Sequence, residues 1–236
     1  MIKKILGLGA IFFCCIISLV FAEETKPAQL AVWNPVQLIS ENDSIIGLRL
    51  SLLYTENENM SGITLGAGWN GTGSDLKGVS LGAVNWTGAS AYGFKAGIFN
   101  YTGSRSVGLD LGVVNINDGD VTGAQWGIVN VTQGFFHGWQ DSVFNYVYGS
   151  FVGWQDGLVN IVKGDVSGLQ SGIVNSVGGT MQGLQLGLVN CAERMSGVQL
   201  GLFNNANSLD GVQIGLSNYN RGADPMLWMV GVNWSF

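Results

Sequence analysis

Histidine, proline and cysteine are almost missing from this chain: one His, three Pro and three Cys in 236 residues. With a single imidazole, His137, no multi-histidine zinc site and no second base for a triad can be assembled. His137 stands just before a recurring glycine, where other copies of the same motif carry Thr122, Ser167 or Asp210, and it reads as a solvated strand residue. Cys14 and Cys15 fall in an N-terminal apolar stretch, so only Cys191 remains beyond it. No internal disulfide can form there, and the shape must come from strand pairing. Positive charge is scarce as well. Setting Lys3 and Lys4 aside leaves 8 basic residues (10 minus 2) against 16 acidic ones, a net charge of −8, which argues against nucleic acid as a partner.

What is there begins with Lys3 and Lys4, an apolar run from Ile5 to Ala22, then Glu23 and Glu24. Val20 and Ala22 fit the small-residue cleavage pattern, so residues 1–22 are expected to be a removable export signal and 23–236 a single β-repeat domain. Glycine is abundant, at 37 residues. Because glycine loses the most backbone entropy on ordering, only a repeating architecture accounts for so much of it.

The repeat opens at Gly62, Gly78, Gly93, Gly108, Gly123, Gly138, Gly153, Gly168, Gly183, Gly197 and Gly211, mostly 15 residues apart, as in GAQWGIVN, GLQLGLVN and GVQIGLSN. Gly47 starts a degenerate first copy. Counting that Gly as position 1, apolar residues dominate positions 2, 4 and 6. Positions 1, 3 and 5 are Gly, mostly Gln, and Gly, and Asn follows at position 8. Alternation of period two is the strand signature. Asp118-Gly119, Gln133-Gly134, Tyr148-Gly149 and Lys163-Gly164 match the two-residue hairpin signal.

Antiparallel pairing about Tyr148-Gly149 sets Asp141 opposite Asp156, Trp139 opposite Leu158 and Val143 opposite Trp154, with the apolar face kept on one side of the sheet. The first expectation is therefore an all-β, up-and-down antiparallel meander closed into an outer-membrane β-barrel. It would have about 14 strands, from Leu30–Ile39 through Ile45–Tyr54 and the eleven complete repeats to Met226–Phe236. Positions 2, 4 and 6 would face membrane lipid. The Gly-Gln-Gly face would enclose water, making Gln125, Gln140, Gln155, Gln170, Gln185, Gln199 and Gln213 the lining of a narrow passive pore for small solutes. Against this stand an apolar band only three residues tall per strand and two carboxylates in its middle. The alternative is a parallel β-solenoid of 15-residue coils, secreted or surface-attached and used for adhesion to host or surface proteins, in which position-8 Asn and position-3 Gln stack into ladders. A coil of that size has little interior room for Phe94, Trp126, Trp139 and Trp154.

Trp228, Val230, Val232, Trp234 and Phe236 share one face of the last strand, which resembles the C-terminal signal strand of outer-membrane barrel proteins. The repeat text from Trp33 to Phe236, with its GLRL opening and NWSF ending, resembles surface-repeat proteins of spirochaetes and some other Gram-negative bacteria. The resemblance implies an exported protein of the outer membrane or cell surface, and brings no catalytic or binding residues with it. No enzyme signature is present, and no catalytic, cofactor-binding or metal-ligating set is assigned. One departure carries chemistry: GWQDSVFN followed by GWQDGLVN puts Asp141 and Asp156 where an apolar residue is usual, beside Trp139 and Trp154. Facing carboxylates destabilise paired strands. The pair is expected to bind a cation, share a proton or mark a protein contact, the bland alternative being a tolerated exposed deviation.

Overall fold

The computed structural model describes residues 25–223 and 228–236. Residues 1–22, expected to be an export signal, lie outside them, as do Met226 and Leu227 of the expected last strand. The chain winds into a parallel β-solenoid of about 13 coils, so the barrel expectation is overturned and the solenoid alternative holds. Successive coils pair in parallel, mostly with an offset of 15 residues: Gly108 lies beside Gly123, Gly123 beside Gly138, Gly138 beside Gly153, and Gly153 beside Gly168. The X-Gly pairs read as hairpins are corners, where the chain steps up to the next coil.

Each coil is a flattened loop of two extended segments, such as Val121–Trp126 and Val129–Thr132. In places the corners themselves stay extended, so that Val166–Leu200 runs as one strand through several coils. Antiparallel pairing is confined to the ends. Thr25–Trp33 folds back on Val36–Gln37, and Trp228–Ser235 pairs with Phe203–Asn220, closing the last coil. The outward alternation read for that final strand is correct: Trp228, Val230, Val232, Trp234 and Phe236 are all exposed, while Asn233 turns inward. Its setting is an end cap.

Gln at position 3 does point to the interior, where it is packed away from solvent and lines no pore. All seven glutamines read as lining a pore are fully buried between the two layers of the coil. They hydrogen-bond one another from coil to coil, Nε2 to Oε1, at 2.6–2.9 Å. Asn85 through Asn218 form a second ladder at 2.8–3.1 Å. Each of these asparagines except Asn218 also donates to a backbone carbonyl of the next coil, as Asn130 does to Asp141 O at 3.1 Å, bracing the corner between the two segments. Beside the opposite corner the interior is apolar, with Phe136 stacked on Phe151 at 5.1 Å and Val147, Val162, Met181 and Met195 closed off. Bulk is no obstacle to the coil, because Trp126, Trp139 and Trp154 sit on its outer surface.

Glycine at position 1 is required by two independent constraints. Gly153 has φ +132°, and a Cβ there would lie 2.0 Å from the carbonyl oxygen of Gly138 in the coil below. The same column from Gly47 to Gly211 keeps φ between 126° and 145°. Gly153→Ala is expected to cost at least about 3 kcal/mol in denaturant unfolding, since backbone strain and a backbone clash add. Ser167→Ala, exposed on the outer surface, should stay within about 0.5 kcal/mol of the parent. Equal costs for the two would contradict the coil-on-coil contact.

Candidate interaction surface

Polar side chains fill much of the interior, and the outer surface is the part of the coil open to other molecules. Parallel register sets Asp141 beside Asp156 and Trp139 beside Trp154. The antiparallel arithmetic had also joined the two carboxylates, but it had paired Trp139 with Leu158. A near-palindromic motif makes position 4 its own partner in either sense. Trp139 and Trp154 stack at 5.4 Å with an interplanar angle of 11°, and Trp126 meets Trp139 edge-on at 4.8 Å. Trp139 and Trp154 therefore each give one ring face to the other.

The two carboxylates are half-buried beside a shallow open groove with Ser142, Val143 and Leu158. Burial, then the charge of Asp156, pushes the Asp141 carboxyl above its ordinary value of 3.8. Among the described residues no group of three or more His, Cys, Asp or Glu side chains gathers to hold a metal ion. The pair stands without a third ligand. His137 lies exposed between Thr122 and Val152 in the register.

Three charged residues inside the coil escaped the sequence reading. Arg49, Lys95 and Asp110 occupy the same interior column as the glutamines, and all are buried. Arg49 donates to Thr64 Oγ1, Gly71 O and Thr72 Oγ1 at 3.1, 2.6 and 3.2 Å. Burial lowers its pKa to about 10, partly offset by Glu56. Lys95 Nζ lies 3.4 Å from Asp110 Oδ1 and donates to Thr102 Oγ1. Burial lowers the Lys95 pKa and the Asp110 charge opposes that shift. The signal was available, since Lys95 and Asp110 both stand at position 3 of consecutive repeats. These groups serve the interior and have no route outward.

The two long edges of the solenoid differ sharply. One carries the turns after the second segment, where Arg105, Asp118, Asp120, Lys163, Asp165, Glu193, Arg194 and Arg221 are exposed. Along the other, position 6 forms a ridge of single aliphatic residues: Ile98, Val113, Ile128, Val143, Leu158, Ile173, Leu188, Leu202 and Leu216, each between 41% and 62% exposed. Consecutive ridge residues bond through the backbone, as Ile128 N does to Val113 O at 2.9 Å. On the other outer layer Tyr54, Trp69, Trp86 and Tyr101 stack in a row at 6.0, 5.5 and 3.9 Å, again face to face.

Comparison with protein-family models, with curated proteins and with solved structures finds no match.

The direction of the Asp141 shift fixes a pH dependence. A carboxyl with a raised folded-state pKa holds its proton more tightly folded than unfolded, so its ionisation lowers stability at neutral pH and that loss is recovered as pH falls. Asp141→Asn should be more stable than the parent at pH 7. The gap should close as pH falls through the raised value and vanish below 3.8. Thermal unfolding across pH checks this, and a pH-independent difference would contradict it.

Proposed function

We propose that the chain is a non-catalytic interaction module, exported and held at the outer membrane or cell surface, whose rigid β-solenoid presents its outer face to other proteins. The observation that carries this reading is the aliphatic ridge. Nine half-exposed Ile, Leu and Val residues follow one another along an edge with no charged residue among them. Contiguous apolar surface of this kind marks contact sites on folded proteins. The interior offers no competing use: among the described residues its glutamine and asparagine columns are buried and bonded from coil to coil. The net charge of −8 beyond the export signal (8 basic minus 16 acidic) keeps nucleic acid out of the reading. The export-signal pattern and the resemblance to envelope surface-repeat proteins support the location.

Lys163 is exposed on the turn edge and gives a direct test. A membrane-impermeant amine reagent applied to intact cells should modify Lys163, detected in the purified chain by peptide mass analysis. Modification only after the envelope is ruptured would contradict a surface location.

A further inference from the structure

We propose that two copies of this chain pair along the aliphatic ridge, edge to edge, giving a two-fold dimer with the charged turn edges on its outside. Pairing of this kind rests on the outer face being the interaction face, and it names the partner.

The ridge has a fixed length and period. Eight steps between nine residues, at about 4.8 Å per coil, make it about 38 Å long. A rigid row of aliphatic side chains at that spacing is matched knob into gap only by a surface with the same spacing, and the same ridge on a second copy has it by construction. Two-fold pairing needs one patch that complements itself. Eight of the nine residues are preceded by a glycine, from Gly97 to Gly215, with only Ser142 standing in. The side chains therefore rise from a bare backbone corner with gaps between them. Val and Ile are stiff at χ1, so ordering them on contact costs little entropy.

Area points the same way. A stable protein interface buries roughly 800 Å² on each partner. Nine aliphatic side chains, each about half open, offer an area of the same order before the flanking Val114, Val129, Val159 and Val174 are added. No position in the ridge is charged, so no ion has to be buried when two ridges meet.

The carboxylate pair decides between a second copy and a bilayer. Asp141 and Asp156 lie two residues ahead of Val143 and Leu158, at the side of the ridge. Contact between two ridges covers the Val143 and Leu158 side of the groove that the carboxylates line and sets Asp141 and Asp156, half-exposed on the outer layer, at its rim. Immersion of the ridge and its flanks in hydrocarbon would take both carboxylates out of water, which is costly.

The test is sedimentation velocity of the full chain in detergent-free buffer, beside flotation with neutral phosphatidylcholine vesicles. The parent is expected to sediment as a dimer and to stay off the vesicles. Ile128→Ser/Leu158→Ser/Leu188→Ser should be monomeric with an unchanged β circular-dichroism spectrum. The single change Leu158→Lys should weaken pairing at least tenfold, which keeps the test sound if the triple variant fails to fold. Lys163→Ser, on the opposite edge, should remain dimeric. A parent monomer overturns the proposal, and one that floats with vesicles or leaves membranes only in detergent assigns the ridge to lipid. Dimers unaffected by Leu158→Lys overturn it in favour of another face. A monomer whose Lys163 is modified on intact cells sinks the dimer and leaves the surface module standing, whereas a dimer shielded from the reagent does the reverse.

Discussion

An amide buried without a partner costs a few kcal/mol, and this protein buries two columns of them. It can do so because repetition supplies the partner. When every coil repeats the last, an amide stands above an identical amide at the inter-strand distance, and each donates in one direction and accepts from the other. The glutamine column donates toward the N-terminal end, Gln140 to Gln125, whereas the asparagine column donates toward the C-terminal end, Asn130 to Asn145. The two ladders thus run with opposed dipoles. At the C-terminal end Asn233 of the capping strand donates to Gln213 Oε1 at 3.2 Å and finishes the glutamine column. At the other end Gln125 Nε2 is buried without a hydrogen-bond partner.

That end is also where the column changes character. Beyond Gln125 it continues as Asp110, Lys95, Ser80, Thr64 and Arg49, and the facing column supplies Thr72, Thr87, Thr102 and Asn117 in place of the Val147, Val162 and Val177 found further along. Charged side chains are tolerated inside because hydroxyls and carbonyls are there to receive them. Replacing one member would leave an uncompensated charge between the layers. Spending so much polarity inward has a complement outside. Aliphatic and aromatic residues that a conventional core would bury are turned to the surface, and one edge becomes the ridge on which the functional proposals stand.

Much of this was legible in the chain. Gln at position 3 reads as facing an interior, and Gln at 3 with Asn at 8 as the two ladders of a solenoid; both columns are buried. Positions 2, 4 and 6 were seen as outward. What the pattern left open was the sense of pairing. A motif that reads almost the same in both directions brings Asp141 beside Asp156 under either register, and Tyr148-Gly149 suits a hairpin as well as a corner. The deciding constraint is the close approach of Gly153 to Gly138 O, which depends on three-dimensional stacking and leaves no separate trace in the alternation. Room for Trp139 and Trp154 was judged as if they pointed inward, although their even-numbered positions had already placed them outside. Lys95 and Asp110 stand at a position that Thr64, Ser80 and the glutamines also fill, so a polar residue there carries no sign that its charge is buried. The ridge was legible as apolar and outward, but its confinement to one uncharged edge emerged only once the coil was closed.

The most direct test of the fold on which everything else depends is a set of spin-label distances along the turn edge, with labelled chains diluted into unlabelled ones. Asp118 is paired in turn with Lys163, Glu193 and Asn207, which lie three, five and six coils away in the same column. A parallel solenoid predicts separations of about 14, 24 and 29 Å, rising linearly with coil number. An antiparallel meander would instead place successive copies on alternate rims. Distances that jump between rims, or that rise and then fall around a closed circuit, would contradict the solenoid.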